Sequence, residues 1–138
     1  MAAGFFAQNG MDRYEQLNQP PLSPPGIVFP IVWTVLYLLM GVSAARVWLA
    51  PAPLAARKKG LRLWAVQLAV NLGWSFLFFG GEFYLAAFLW LILLWVLIIL
   101  MIRAFWQVDC PAAWLQLPYL VWVTFAGYLN AGVWLLNP

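Results

Sequence analysis

The chain has 138 residues, of which 66% are hydrophobic and 8% are charged, with a net charge of +3. A water-soluble domain carries about 25% charged residues, so this composition excludes a soluble globular core and predicts one integral membrane domain. There is no histidine and a single cysteine, Cys110, which excludes an internal disulfide and a Cys-rich metal site.

The first segment, residues 1–7, is apolar but far too short to cross a bilayer, and residues 8–19 are polar. With no basic start and no adequate apolar stretch, this is not a secretory signal. The Pro-rich run Pro20-Pro21-Leu22-Ser23-Pro24-Pro25-Gly26 completes an entry loop over residues 8–26. Four apolar runs then reach the roughly 20 residues that a membrane-spanning helix needs. They cover about residues 27–49, 61–80, 83–106 and 112–136. The expected fold is therefore all-α and integral to the membrane, with four transmembrane helices. Short connections predict that sequential helices pack as antiparallel neighbours.

Charge orients these spans. Arg57, Lys58, Lys59 and Arg62 lie between the first two, Arg46 ends the first and Arg103 ends the third on the same side. By the positive-inside tendency the 57–62 loop faces the cytoplasm. The entry loop, Glu82 and the C-terminus then face outward. The positive charge speaks to topology and to anionic lipid rather than to nucleic acid.

Ten tryptophans divide by depth. Trp48, Trp64, Trp106, Trp114 and Trp134 lie near span ends, where an amphipathic ring anchors at the lipid boundary. Trp33, Trp74, Trp90, Trp95 and Trp122 fall inside apolar runs. In the second span Gln67, Asn71, Trp74 and Phe78 share one helix face. Tyr119, Trp122, Ala126 and Asn130 do so in the last span, and Pro30, Trp33 and Tyr37 in the first. Trp33 and Trp74 each stand six residues from the outer end of their spans, about 9 Å deep at about 1.5 Å per residue. Three helices thus converge aromatic and amide groups in the outer half of the bundle, which a pocket for a flat, mostly apolar ligand requires. An unpaired amide in hydrocarbon costs several kcal/mol, so Gln67, Asn71 and Asn130 face inward. There they either bond one another as helix–helix glue or bond a ligand. Trp90 and Trp95 have no polar partner on their own helix to fix a role.

On the opposite side of the second span, Ala65, Ala69 and Gly73 recur every four residues. Such a stripe lets two helices approach closely, within one chain or between two copies. No catalytic constellation is visible: no intramembrane carboxylate pair, no nucleophile beside a base and no phosphate loop. Glu82 and Asp109 fall at loop positions and read as solvated helix ends. Cys110 reads as a small residue in a turn.

Tyr14-Glu15-Gln16-Leu17-Asn18-Gln19-Pro20-Pro21-Leu22-Ser23-Pro24-Pro25, followed by Val28-Phe29, Trp33, Leu36-Tyr37 and Met40, resembles the first loop and second helix of the TspO/MBR family. These are the tryptophan-rich sensory proteins, also called translocator proteins or peripheral benzodiazepine receptors. Gln67, Asn71, Trp74-Ser75 and Phe78-Phe79 resemble its third helix. Pro118-Tyr119, Trp122, Ala126 and Leu129-Asn130 resemble its fifth. The resemblance runs from about Gly4 to the end, and residues 1–7 would be only the last turns of the family's first helix. It implies a five-helix bundle here lacking most of that helix, usually a homodimer, with no resident cofactor; a bacterial cell membrane is the expected location, with the outer membrane as the alternative. It implies binding of porphyrins such as protoporphyrin IX and haem-type tetrapyrroles. The ligand contacts it implies are Tyr14, Pro24, Trp33, Asn71, Trp74, Trp122 and Ala126, with Ala65, Ala69 and Gly73 available for dimer or helix packing. The cholesterol-recognition segment of animal members is not expected, because Ala131 and Leu135 stand at its Tyr and Arg. A porphyrin-degrading enzyme using light or oxygen, and a purely structural membrane protein, are the alternative readings.

Overall fold

A computed structural model describes residues 26–80 and 83–137. Among them lie four helices long and apolar enough to cross a membrane, and no strand. They are α1 (Val28–Leu49), α2 (Leu54–Ser75), α3 (Tyr84–Trp106) and α4 (Cys110–Leu136), with a π-helical turn over Phe76–Gly80 continuing α2.

Local chemistry sets these bounds. Pro30 sits in the first turn of α1, where its missing N–H is not needed. The helix stops before Ala50-Pro51-Ala52-Pro53. Ala50 is extended, with ψ of 144°, as the residue before a proline prefers. Helix α2 begins at Leu54, ahead of the apolar run expected from residue 61. Its first turns are the basic stretch Arg57-Lys58-Lys59, which is helical without being apolar. At the start of α4, Asp109 accepts a hydrogen bond from the Ala112 N–H at 3.1 Å. Such a cap contributes about 1 kcal/mol. The same carboxylate accepts from Arg46 Nε at 2.7 Å. Asp109 therefore both caps α4 and ties it to the last turn of α1, beyond the solvated helix end the sequence suggested.

The helices form a closed ring. α3 packs on α2 and α4, and α1 closes the circle against α4 and α2. Buried residues on α3 run Ala87, Leu91, Leu94, Ile98, Met101 and Phe105, alternating four and three apart. On α4 they run Ala112, Gln116, Tyr119, Val123, Ala126, Asn130 and Val133, with the same alternation. That spacing keeps one seam of each helix turned inward. Two glycines fix the α2–α3 seam. A Cβ on Gly60 would stand 3.0 Å from the Phe105 ring, and one on Gly73 would stand 2.9 Å from the Trp90 indole nitrogen. The outer surface is itself apolar, with Ile31, Val35, Leu38, Leu89, Ile92, Leu93, Val96 and Leu100 exposed. A lipid environment makes such a surface ordinary.

Candidate functional site

The face expected on α2 is wholly internal: Gln67, Asn71, Trp74 and Phe78 are all buried. On α4, Tyr119, Ala126 and Asn130 are buried and Trp122 is half-buried. On α1, Trp33 and Tyr37 are half-buried against this core. Pro30 is exposed and does not join them; Phe29, one residue earlier, turns inward and meets the Trp122 ring edge-on at 5.7 Å.

Trp33 is the hub. Its ring centroid lies 6.5 Å from that of Trp74, 6.4 Å from Trp122 and 6.2 Å from Tyr119, and it stacks on Tyr37 at 5.6 Å. Trp74 stacks in turn on Phe78 at 5.3 Å. The π-helical turn begins just after Trp74 and carries Phe78 over it. Rings from three helices thus meet at one level, with edge-on and offset geometries that aromatic quadrupoles favour.

The amides sort into two kinds. Tyr119 donates its hydroxyl to Gln67 Oε1 at 2.6 Å, and Gln67 Nε2 donates to the Trp64 carbonyl at 2.9 Å. Asn130 Oδ1 accepts from Trp74 Nε1 at 3.0 Å, and Asn130 Nδ2 donates to the Tyr84 carbonyl at 2.7 Å. Gln67 and Asn130 are therefore satisfied within the chain, as helix–helix glue. Asn71 is only half satisfied. Its Nδ2 donates to the Tyr119 hydroxyl at 2.9 Å, and its buried Oδ1 has no partner. The orientation follows from the network: the Tyr119 proton is committed to Gln67, so Asn71 must present its NH₂ to that oxygen. The Trp122 indole N–H, on the same aromatic cluster, is also buried and unpartnered. One free acceptor and one free donor thus border the cluster.

Ala126 is buried on the face of α4 that carries Trp122. Tyr14 and Pro24 lie outside the described residues. Of the small-residue stripe, Ala65 and Ala69 are exposed, whereas Gly73 is met by Trp90 of α3.

The sequence left Trp90 and Trp95 without partners because their bonds are made to other helices. Trp90 Nε1 donates to the Val70 carbonyl at 2.7 Å. Trp95 Nε1 donates to Thr124 Oγ1 at 3.0 Å, and Thr124 donates to the Leu120 carbonyl. Trp95 and Thr124 line an apolar recess of about 360 Å³ between α3 and α4. Trp64, placed at the boundary by its sequence position, has its indole nitrogen buried, because it precedes Gln67 by three residues on the inward face of α2. Gln116 was missed altogether. Its signal was its spacing of three before Tyr119, on the same α4 seam.

Among the described residues no group of His, Cys, Asp or Glu could hold a metal ion. The cluster presents flat rings bordered by two buried hydrogen-bonding atoms without partners.

A sequence profile of the TspO/MBR family matches residues 1–135. Protein CrtK of Rhodobacter capsulatus is 42% identical over 125 residues, covering 91% of this chain and 78% of that protein. The tryptophan-rich protein TspO of Chlorobaculum tepidum is 43% identical over 125 residues, covering 91% of this chain and 79% of its own length. The translocator protein of Bos taurus is 34% identical over 135 residues, 97% of this chain and 80% of the bovine protein.

Proposed function

The chain belongs to the TspO/MBR family of integral membrane proteins, and on that premise we propose that it is a membrane receptor and sensor for porphyrins. One observation carries the reading. The Trp33 cluster of α1, α2 and α4 is bordered by two buried polar atoms with no partner, Asn71 Oδ1 and Trp122 Nε1. An unsatisfied polar group in an apolar interior costs about 1–3 kcal/mol, a cost that a ligand held against these rings would remove. The Trp122 N–H suits a carboxylate or carbonyl oxygen, and Asn71 Oδ1 suits an N–H or O–H. A tetrapyrrole offers both around a large flat apolar ring. Trp33, Trp74 and Trp122 give that ring aromatic faces and edges. Ala126, with no bulk beyond Cβ, leaves it room.

Protoporphyrin IX titrated into detergent-purified protein should quench tryptophan fluorescence saturably. Trp33→Ala should weaken this by removing the hub. Trp122→Phe, which keeps an aromatic ring and loses only the N–H, should raise Kd by about tenfold, the value of one hydrogen bond of about 1.4 kcal/mol. Trp48→Phe, at the boundary, should leave it unchanged. Absent saturable quenching, or equal affinity in all variants with thermal melts intact, would rule out this site. Repeating the titration under illumination distinguishes binding from breakdown of the ring. The same reading places the protein in a bacterial cell membrane, with the 57–62 loop in the cytoplasm and a second copy against α2.

A further inference from the structure

Below the aromatic cluster the core holds a second unsatisfied polar group set, on different residues. Gln116 is fully buried and neither atom of its amide has a partner, and the Trp64 indole nitrogen is buried and unpartnered as well. The register brings them to one level. Helices α2 and α4 run parallel, since Gln67 bonds Tyr119 and, further along both, Trp74 bonds Asn130. Gln67 and Tyr119 are 52 positions apart. Trp64 and Gln116 stand 52 apart as well, each three residues before a member of that bonded pair. Three residues are about 4.5 Å of rise and nearly one full turn. The two residues therefore stand at one level along the bundle, one turn closer to the cytoplasmic end.

The chemistry of the open atoms selects their occupant. They are two donor nitrogens, Trp64 Nε1 with one N–H and Gln116 Nε2 with two, and one acceptor, Gln116 Oε1. A cation would meet three N–H groups and one carbonyl. An anion would find no positive charge among these groups. Water, which both accepts and donates, satisfies donors and acceptor alike, and buried water is found where several polar groups otherwise lack partners. We propose that Trp64 and Gln116 form an internal hydration site in the cytoplasmic half of the bundle, on residues that take no part in the porphyrin site. Occupied, it links two polar stretches. Toward the cytoplasm, Ser43 donates to the Ala112 carbonyl at 2.7 Å, one turn before Gln116. Toward the outside stand Gln67, Tyr119 and Asn71, then Trp74 and Asn130. The bundle then carries a file of polar groups along its core.

The test uses full-length protein with ¹⁵N-labelled tryptophan in detergent micelles, with Trp64→Phe to assign the Trp64 indole signal. Without porphyrin added, that N–H should show a cross-peak to water, and Gln116→Leu should abolish it. Should Gln116→Leu fail to fold, Gln116→Met, unbranched and of similar length, takes its place with the same expected loss. No water cross-peak at Trp64 in the unaltered protein, or one that persists in the folded variant, overturns the proposal. Because no porphyrin is present, neither result depends on the ligand reading.

Discussion

At the scale of single residues, this protein turns on which polar atom meets which across helices. Gly73 shows how closely that is set. Trp90 reaches the Val70 carbonyl at 2.7 Å only because Gly73, three residues on, has no side chain in the way. A Cβ there would stand 2.9 Å from the indole nitrogen, so Gly73→Ala must either push α3 away or break the bond. Overpacking of this kind costs about 1–3 kcal/mol. The variant should melt at a lower temperature in detergent. A melt equal to that of the unaltered protein would mean that Trp90 yields without loss. The sequence pointed to a glycine in a small-residue stripe, but periodicity does not say whether a stripe faces a neighbouring helix or another chain. The same limit applies to the amides. Helix phase placed Gln67, Asn71 and Asn130 inward, yet only the three-dimensional bonds reveal that two are satisfied within the chain and Asn71 is half open. Trp90 and Trp95 were illegible for a related reason: a partner on another helix leaves no mark in the spacing of a residue's own helix.

At the scale of elements, the apolar runs announced four helices, because a bilayer demands about 20 apolar residues per crossing. Their ends were less legible, since helix and apolar run are different things. α2 starts in a basic segment that the bilayer does not require. There Arg57 folds back on α1, with Nη1 bonding the Trp48 carbonyl at 2.7 Å, Nε bonding the Ala52 carbonyl at 3.0 Å and the guanidinium carbon 5.7 Å from the Trp48 ring centroid. A cation on the last carbonyls of a helix is where the macrodipole favours it. Arg57 is thus occupied in closing the α1–α2 connection, whereas Lys58, Lys59 and Arg62 are exposed and are the cations on which the proposed orientation rests. Trp48, Trp106 and Trp114 are exposed near the same end, with Trp106 and Trp114 edge-on at 6.1 Å, as an interfacial belt would be. A cysteine introduced as Lys58→Cys, in a background with Cys110→Ser, should react with a membrane-impermeant thiol reagent in inside-out vesicles and not in intact cells. Labelling in intact cells would reverse the assigned orientation.

At the scale of the whole molecule, the four described helices turn apolar side chains both inward and outward, so hydrophobicity cannot select the surface where a second copy docks. Lipid tails are as apolar as leucine, and association in a bilayer depends on close backbone approach and packing. α2 offers that approach. Gly73 is taken by Trp90, but Ala69 and Ala65, one and two turns earlier on the same stripe, remain exposed. The stripe is thus divided between uses: Gly73 seats α3 inside the chain, and the middle stretch with Ala65 and Ala69 presents small side chains to the membrane. That middle stretch is the face on which the homodimer is proposed. Ala69→Leu puts a branched side chain into that approach while facing away from Gln67, Asn71 and Trp74. It should shift the detergent-solubilised protein from dimer to monomer by sedimentation or light scattering, with the thermal melt and porphyrin quenching of each protomer retained. A dimer that survives Ala69→Leu would move the interface off α2. A monomer that also loses porphyrin quenching would mean that the second copy helps to form the site.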